Sequence, residues 1–560
     1  MLFLNSRKAN KRKIVKIEKR IKKPESEIDF ENLILEHLIA CGVTEPEKWI
    51  SAKESDIQNP ILDEPTRHGI AVLKSAIENK KSISVLADAD FDGILSSAVM
   101  CDFLKKQNVR FNLITHKGKK HGITKDAAKQ IWDYKTELLI VPDAGTDPNK
   151  CAEILCNNGC TILVLDHHKP TKKNTYATII NPFLQNVDFV NHDLSGTCVT
   201  IKFIIAYCNV NNITPSYYWD MGAASIVSDM CSIRGIENIA ILRTGLNRVE
   251  NEFLQFLYAR LAKGDRSAKS VGWSIAPIAN ALTRVEDSDI ELFIRAFLGE
   301  IDFTDAIHAG RQAKTVQANA TKAMSEDSPP EEVGPFMVSF VDKQWAPYTG
   351  LYANSILGNY HKPTLVLREQ SDKSYSGSMR APNEIMDLLN SSKLCRVQGH
   401  DAAAGIIIKK QDYNKLIEWA KCQNELLADT LEFCDCDLAL KDIDITLVEN
   451  LLEQTKCMCN DVPAPVFHIV LDSPKAIVYR KRTNTIKFES GGFDFIYFMA
   501  SNDMAEQAEA YAYCSYQVEC LFELGINEYM GKKKIQAIIK KFEISHKSDI
   551  GNVDWDDIFK

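Results

Sequence analysis

The chain has 560 residues, a length that calls for several domains, and its 45% apolar content is ordinary for a globular protein. A formal net charge of −8 speaks against a uniformly basic surface, but net charge is an average and leaves room for a basic site. No run of about 18 apolar residues occurs, which argues against a membrane span. The basic N-terminus leads into no apolar stretch and does not read as a secretory signal, so a cytoplasmic protein is expected. The 16 cysteines are scattered along a long chain, which argues against a secreted disulfide scaffold.

Residues 1–55 read as a basic arm, running from Arg7 to Lys23, and a helical lead-in. Residues 56–245 alternate apolar strands with helical patterns, the signature of a parallel sheet with helices on both faces. Within them, Ser84–Ala87 reads as a buried strand that runs into Asp88, Asp90 and Asp92 at alternating positions, then Gly93 and a helix from Ile94 to Leu104. A second apolar strand, Leu138–Val141, ends at Asp143-Ala144-Gly145. A third, Cys160–Leu165, ends at Asp166-His167-His168. The run Ala223–Ser228 is read as a fourth strand, ending at Asp229.

One carboxylate at a strand end usually caps the helix that follows. Four such ends, one of them bearing two imidazoles, exceed what capping explains. Open α/β sheets hold ligands at the carboxyl ends of their strands. The oxygen donors of Asp90, Asp92, Asp143 and Asp229, mixed with His167 and His168, suit Mn²⁺ or Mg²⁺ better than structural zinc. Two such ions, roughly 3.5–4 Å apart, are a general apparatus for phosphoester hydrolysis.

Residues 246–330 are mostly helical, and Glu300–Met324 reads as a long connector that ends at Ser328-Pro329-Pro330. A second α/β unit, 331–432, begins near Phe336–Val341. It includes Thr364–Leu367 and Gly405–Ile408 and closes with a helix from Tyr413 to Thr430. The last unit, 437–545, turns to short strands at 466–471, 493–498, 511–518 and 534–539, a pattern that suggests a small barrel. Cys434-Asp435-Cys436 and Cys457-Met458-Cys459 are read as reduced thiols near element ends, because the Cys-x-x-Cys spacing of zinc sites is missing.

These residues resemble the DHH phosphoesterases, and within them the RecJ single-strand exonucleases. Asp88-Ala89-Asp90-Phe91-Asp92-Gly93 is similar to the first RecJ motif. Asp143-Ala144-Gly145, Asp166-His167-His168 and Ser228-Asp229 are similar to the second, third and fourth. Leu194-Ser195-Gly196-Thr197, after Asn181-Pro182, matches a small-residue turn of the family. Pro277–Arg284, Trp345-Ala346-Pro347, Gly377-Ser378-Met379-Arg380 and Gly399–Gly405 follow in family order. The chain departs from the pattern at Gln398-Gly399-His400, at Trp345-Ala346, and at His116-Lys117, where the family tends to place an arginine.

The resemblance implies an α/β fold: a parallel-sheet DHH domain, a second α/β DHH-associated domain joined by a long helix, and a C-terminal OB-like β-barrel. It implies one ion on Asp90 and Asp143, with Asp88 completing its shell. It implies a second ion on Asp92, Asp143, His167 and Asp229, with Asp143 bridging. Asp166 would support from behind, and His168 would touch the scissile phosphate or the leaving oxygen. Asn280, Arg284, Ser378, Arg380, Gly399 and His400 would grip the strand.

The activity implied is metal-dependent 5′→3′ hydrolysis of single-stranded DNA to mononucleotides in recombination or repair. The partners implied are single-stranded DNA and a single-strand-binding protein or a helicase, with the chain a monomer. A DHH phosphodiesterase for short oligonucleotides or cyclic dinucleotides is the alternative, and an inactive single-strand-binding scaffold is a third reading. In the barrel, Tyr479, Tyr497, Phe498 and Tyr529 are the aromatic candidates for stacking on bases. The Arg480-Lys481-Arg482 and Lys532-Lys533-Lys534 clusters are the favoured DNA-facing charges.

Overall fold

A computed structural model describes residues 17–22, 32–185, 191–285, 289–360, 362–381, 385–400, 403–423, 432–480, 483–511, 516–529 and 531–546. The chain divides into two compact units. One comprises Lys48–Ala428 with Cys459–Asp461; the other comprises Met1–Glu47, Asp429–Met458 and Val462–Lys560.

The first unit is built on a five-stranded, all-parallel sheet. Across the sheet its strands run Phe111–Ile114, Ile83–Leu86, Leu138–Pro142, Thr161–Leu165 and Thr178–Ile180. Ile83–Leu86 and Leu138–Pro142 are buried along their whole length. Covered on both faces, such strands need apolar side chains at every position, which is why they read as continuous apolar runs. The strand order reverses between Ile83–Leu86 and Leu138–Pro142. That reversal opens a crevice at their carboxyl ends, where ligands of doubly wound sheets sit.

The fourth acidic end departs from the sequence reading. Ala223–Ser228 is not a strand but most of the helix Trp219–Ser228, and Asp229 is its C-cap. Every residue from Trp219 to Val227 is buried. A helix buried all round shows no 3.6-residue polarity period, so its small apolar run is indistinguishable from a strand.

The helix Phe303–Asp327, capped by Asp302 accepting from the Thr304 N–H, leads to the second sheet of this unit. That sheet is six-stranded and mixed. Its strand Ala403–Lys409 alternates buried and exposed residues, as a sheet packed on one face requires. The helix expected over Tyr413–Thr430 is described as Tyr413–Cys422; residues 424–430 lie outside the described residues.

The second unit centres on a seven-stranded sheet with an apolar core around Phe467, Phe488, Phe495 and Phe522. Its hairpin Tyr516–Tyr529 to Lys532–His546 is the longest pairing in the molecule's described residues. The strand expected over 511–518 is described from Tyr516, with Tyr511 closing the helix Asn502–Tyr511; residues 512–515 lie outside the described residues. The described part of the N-terminal basic arm contributes a strand, Ile17–Lys19, parallel to Glu432–Cys434. Lys19 pairs with Asp437 at 2.9 Å and Arg20 with Asp435 at 3.3 Å. No helix among the described residues is long and apolar enough to cross a membrane.

Candidate metal centre

Asp90 follows the strand Ile83–Leu86 and caps the helix Phe91–Lys106, its Oδ1 accepting from the Gly93 N–H at 2.9 Å. Capping explains one oxygen and leaves the other for a ligand. Asn280 reaches the same turn, its Oδ1 accepting from the Phe91 N–H at 2.9 Å. This residue was expected to grip substrate, and its oxygen is instead engaged in holding the acidic loop.

Asp92 lies in the first turn of that helix and is held from across the unit. Its carboxylate accepts from the Gly196 N–H at 2.7 Å and from the Thr197 N–H at 2.9 Å, and Thr197 Oγ1 donates to it at 2.5 Å. These donors open the helix Gly196–Val210, so the helix dipole reinforces the bond to a carboxylate. A Cβ on Gly196 would run into the Asp143 carboxylate, so only glycine fits between the two acids.

Asp143 sits at the end of Leu138–Pro142 with φ of 66°, a left-handed conformation in which aspartate is tolerated better than most residues. Asp166 is buried, and its carboxylate accepts from the backbone N–H groups of Thr146, His167 and His168 and from His168 Nδ1 at 2.8 Å. Burial alone would raise its pKa; the bonds from His168 and Thr146 outweigh that and hold it below the carboxylate range. In return His168 is pushed up to about 9, first by its bond to Asp166. The side chain of His168 is 61% exposed, so it presents a protonated face to the crevice.

His167 points the other way. Its buried Nε2 lies 3.3 Å from Asp143 Oδ1, 3.4 Å from Asp229 Oδ2 and 4.0 Å from Asp92 Oδ2. Ligand atoms bound at about 2.1 Å around one ion are separated by about 3.0–3.5 Å, so the spacing fits a small divalent cation. Both His167 Nε2 and Asp143 Oδ1 are buried without a hydrogen-bond partner. Orphaned buried atoms of this kind call for an explanation, and a bound ion supplies one.

The electrostatics agree. Asp143 is held well above the carboxylate range by burial, then by the charges of Asp92, Asp90, Asp88 and Asp229. Asp90 is raised by burial and then by Asp88. Asp229 is pushed up to about 8 by burial, then by Asp92 and Asp90. His167 is lowered, chiefly by burial, into the neutral form that ligates metals. Carboxylates crowded this closely repel one another, and protons or a cation among them relieve that repulsion. The structure thus brings Asp88, Asp90, Asp92, Asp143, His167 and Asp229 into one cluster, with Asp166 and His168 against it. Asp92, His167 and Asp229 form one group able to hold an ion, and Asp88, Asp90 and His121 form another.

A group of cations lies beside the acids. Burial lowers Arg284, with Asp90 acting against it, and burial followed by the Arg284 charge lowers Arg380. Lys119 lies within the field of both arginines. Arg380 Nη1 donates to the Met379 carbonyl at 2.7 Å, while its buried Nε has no hydrogen-bond partner. Ser378 Oγ lies 2.9 Å from Thr349 Oγ1 at the start of the helix Thr349–Tyr360. Three neighbouring cations and two hydroxyls are the donor types that would suit an anion. Gly377 serves the sheet rather than the site, since a Cβ there would run into the Val366 carbonyl. Gly399 and His400 end the strand Cys395–His400, and their side-chain environments lie outside the described residues. Sequence reasoning passed over His121, Thr349 and Lys119 as site residues.

In the C-terminal unit, Tyr479 and Phe498 are 44% and 51% exposed, and both oppose Thr485 in the sheet. Tyr497 packs edge-on against Phe542 in the core, and the side chain of Tyr529 lies outside the described residues. The favoured basic clusters are partly neutralised: Arg480 pairs with Glu509, Lys533 with Glu449 and Lys534 with Asp494. Lys481 and Arg482 lie outside the described residues, as does the side chain of Lys532.

A parallel sheet with an acidic, imidazole-bearing edge, followed by a mixed sheet and a barrel-like unit, defines a class. Residues 82–226 match the DHH family, N-terminal domain, and residues 434–541 match the RecJ OB domain. The chain thus matches the DHH family over its parallel-sheet domain and the RecJ OB domain over its C-terminal sheet. It is 24% identical over 562 aligned residues to YorK, an SPbeta prophage-derived protein of Bacillus subtilis strain 168 named as a single-strand DNA-specific exonuclease, across 90% of this chain and 94% of YorK. It is 23% identical to the single-stranded-DNA-specific exonuclease RecJ of Bacillus subtilis, across 89% of this chain and 66% of that one. The fold matches RecJ of Thermus thermophilus in complex with Mn²⁺ with a TM-score of 0.69 at 17% identity, over 93% of this chain and 78% of that one. A Mg²⁺ complex of the same protein matches with a TM-score of 0.65.

Proposed function

We propose that this protein is a metal-dependent exonuclease that hydrolyses single-stranded DNA from the 5′ end to mononucleotides, in recombination or repair. The observation that carries the reading is the cluster of buried acids around Asp143, with unpartnered His167 Nε2 and Asp143 Oδ1 inside it and Arg284, Arg380 and Lys119 beside it. Asp90 and Asp143 would hold one ion; Asp92, Asp143, His167 and Asp229 would hold the other. Bound there, two divalent ions would activate water and offset the charge that builds on phosphorus.

The chain's own groups do the rest. Asp166 fixes His168, which donates to the scissile phosphate or the leaving oxygen. Arg284 and Arg380 hold a terminal phosphate by charge-assisted bonds, with Lys119 as a point charge and Ser378 as a hydroxyl donor. Holding the terminal phosphate next to the acids sets both polarity and exonucleolytic action. Phe498 and Tyr479 offer faces on which bases of the strand can stack.

The test is a long single strand labelled at either end, incubated with Mn²⁺, Mg²⁺ or EDTA. The reading requires immediate, metal-dependent loss of the 5′ label as mononucleotide. An intact long strand with a cleaved dinucleotide would replace it with a short-substrate phosphodiesterase. Binding without cleavage would replace it with a scaffold.

A further inference from the structure

The loop between the strand Phe111–Ile114 and the helix Lys125–Asp133 carries an imidazole that the resemblance does not assign. Gly122, at a φ of 63°, turns the chain so that its N–H meets Asp88 Oδ1 at 2.9 Å. The preceding residue, His121, places Nδ1 only 2.5 Å from Asp88 Oδ2. Two acceptor atoms this close need a proton or a cation between them. Asp88 is buried, and both of its oxygens are engaged by this loop, whereas the His121 side chain is 52% exposed.

Asp88, Asp90 and His121 each offer a donor atom, and the three atoms lie within 4.8 Å of one another. Two buried side chains in the neighbourhood of this group, one facing His167 and one on the same loop, carry unpartnered atoms. Asp143 is only 2% exposed, its Oδ1 has no hydrogen-bond partner, and it lies within the field of Asp88 and Asp90. On the same loop, His116 is 5% exposed with an unpartnered Nε2, near enough to Asp88 and His121 to feel their charges.

We propose, resting on the two-ion reading above, that His121 is an imidazole ligand of the ion shared by Asp90 and Asp143, and that it biases that position toward Mn²⁺ over Mg²⁺. The preference follows from donor chemistry. Mg²⁺ is hard, favours oxygen and holds its waters, while a transition-metal ion accepts nitrogen more readily. Each of the two positions would then carry one imidazole, His121 in the first and His167 in the second, rather than the first being all oxygen. The Asp88 carboxylate, fixed by Gly122, orients the ring of His121 as a carboxylate partner orients a metal-bound histidine.

The experiment is a Mn²⁺ titration of the full chain followed by electron paramagnetic resonance of free Mn²⁺, with Mg²⁺ as competitor. It compares wild type with His121→Ala and His121→Asn; the asparagine keeps an N–H donor for Asp88 but removes the ring. Wild type should bind two Mn²⁺. Both variants should weaken one of the two by at least about 10-fold and leave the other unchanged. At the weakened position, Mg²⁺ should displace Mn²⁺ more easily than in wild type. Two unchanged sites in both variants would overturn the His121 assignment alone. Loss in His121→Ala with full recovery in His121→Asn would also overturn it, by showing that the residue only positions Asp88. No Mn²⁺ bound by wild type would overturn the two-ion reading and this assignment with it.

Discussion

The acidic edge of the parallel sheet and the interior of the C-terminal unit both bury ionisable groups, and they treat them in opposite ways. In the C-terminal unit, His37 is fully buried with Nδ1 2.6 Å from Asp435 Oδ1 and Nε2 2.7 Å from the Pro463 carbonyl. Asp435 also accepts from Arg20 and from the Val466 N–H. Charge there is matched by opposite charge and by hydrogen bonds. At the sheet edge, burial and then neighbouring carboxylates raise the pKa values of Asp90, Asp143 and Asp229, and two buried atoms have no partner. A fold that pairs its buried charge in one place and leaves it unpaired in another marks the second place as a site.

The largest expected effect comes from removing the carboxylate at the centre of the unpaired cluster. Asp143→Ala should reduce cleavage by at least about 10³-fold, the upper range for deleting one preorganised charge-stabilising group. Asp143→Asn, which tolerates the same left-handed backbone, should melt higher than wild type in EDTA, since it deletes a buried like charge without adding backbone strain. Cleavage at the wild-type rate would remove the two-ion assignment. A lower melting point in EDTA would show that the edge is not under electrostatic stress, and the contrast with the C-terminal unit would fail.

The matched pair predicts the reverse. His37→Ala leaves Asp435 buried without its main partner and should cost about 3–5 kcal/mol in denaturant unfolding of the C-terminal unit. Its pH dependence has a definite sign. Although burial opposes protonation, the bond to Asp435 raises His37 from 6.5 to about 9. A folded value above the unfolded one stabilises fully below about 6.5, and that contribution is lost as pH rises toward about 9. Stability of this unit should therefore fall across that window in wild type and not in the variant. At the sheet edge the pH effect runs through metal binding instead. Asp229 must lose its proton to ligate, so Mn²⁺ affinity should rise with pH up to about 8.

The anion site gives a smaller effect. Arg380→Ala should lower use of a 5′-phosphorylated end by about 10–100-fold, because a hydrogen bond to a charged group is worth about 1.5–3 kcal/mol. Use of a 5′-hydroxyl end should change little. Equal losses on both ends would count against a terminal-phosphate pocket and leave Arg380 a general contact to the strand.

The parts legible in the sequence are those that local pattern dictates. Buried parallel strands announce themselves as apolar runs, and the residue after each run lands at the ligand-binding edge, so Asp88–Gly93, Asp143 and Asp166–His168 could be placed without coordinates. Asp229 could be named but not placed, because a helix buried on all sides has no period to read. His121 and Lys119 were passed over for a different reason. Their loop takes its course from Gly118 and Gly122 at positive φ, and no periodicity predicts where such a loop points. The approach of Arg284 to Arg380 joins residues on a helix end and a distant strand, a tertiary fact that neither segment encodes alone.

The smallest effect falls on the barrel-like unit and sharpens the comparison from its other side. That unit pairs its buried charges, yet it leaves Phe498 half-exposed, opposite Thr485, which in turn opposes Tyr479. The neighbouring Tyr497 faces the core against Phe542, as alternation along a strand requires. An exposed aromatic row has no packing role, whereas base stacking on an aromatic is worth about 1–3 kcal/mol. Phe498→Ala should therefore weaken binding of a long single strand by about 5–100-fold while leaving cleavage of a dinucleotide and the unfolding free energy near wild type. Tyr497→Ala should do the opposite, destabilising the unit through its core. If Phe498→Ala bound a long strand as wild type does, this face would hold no bases, and the grip on the strand would rest on the cations beside the acidic edge.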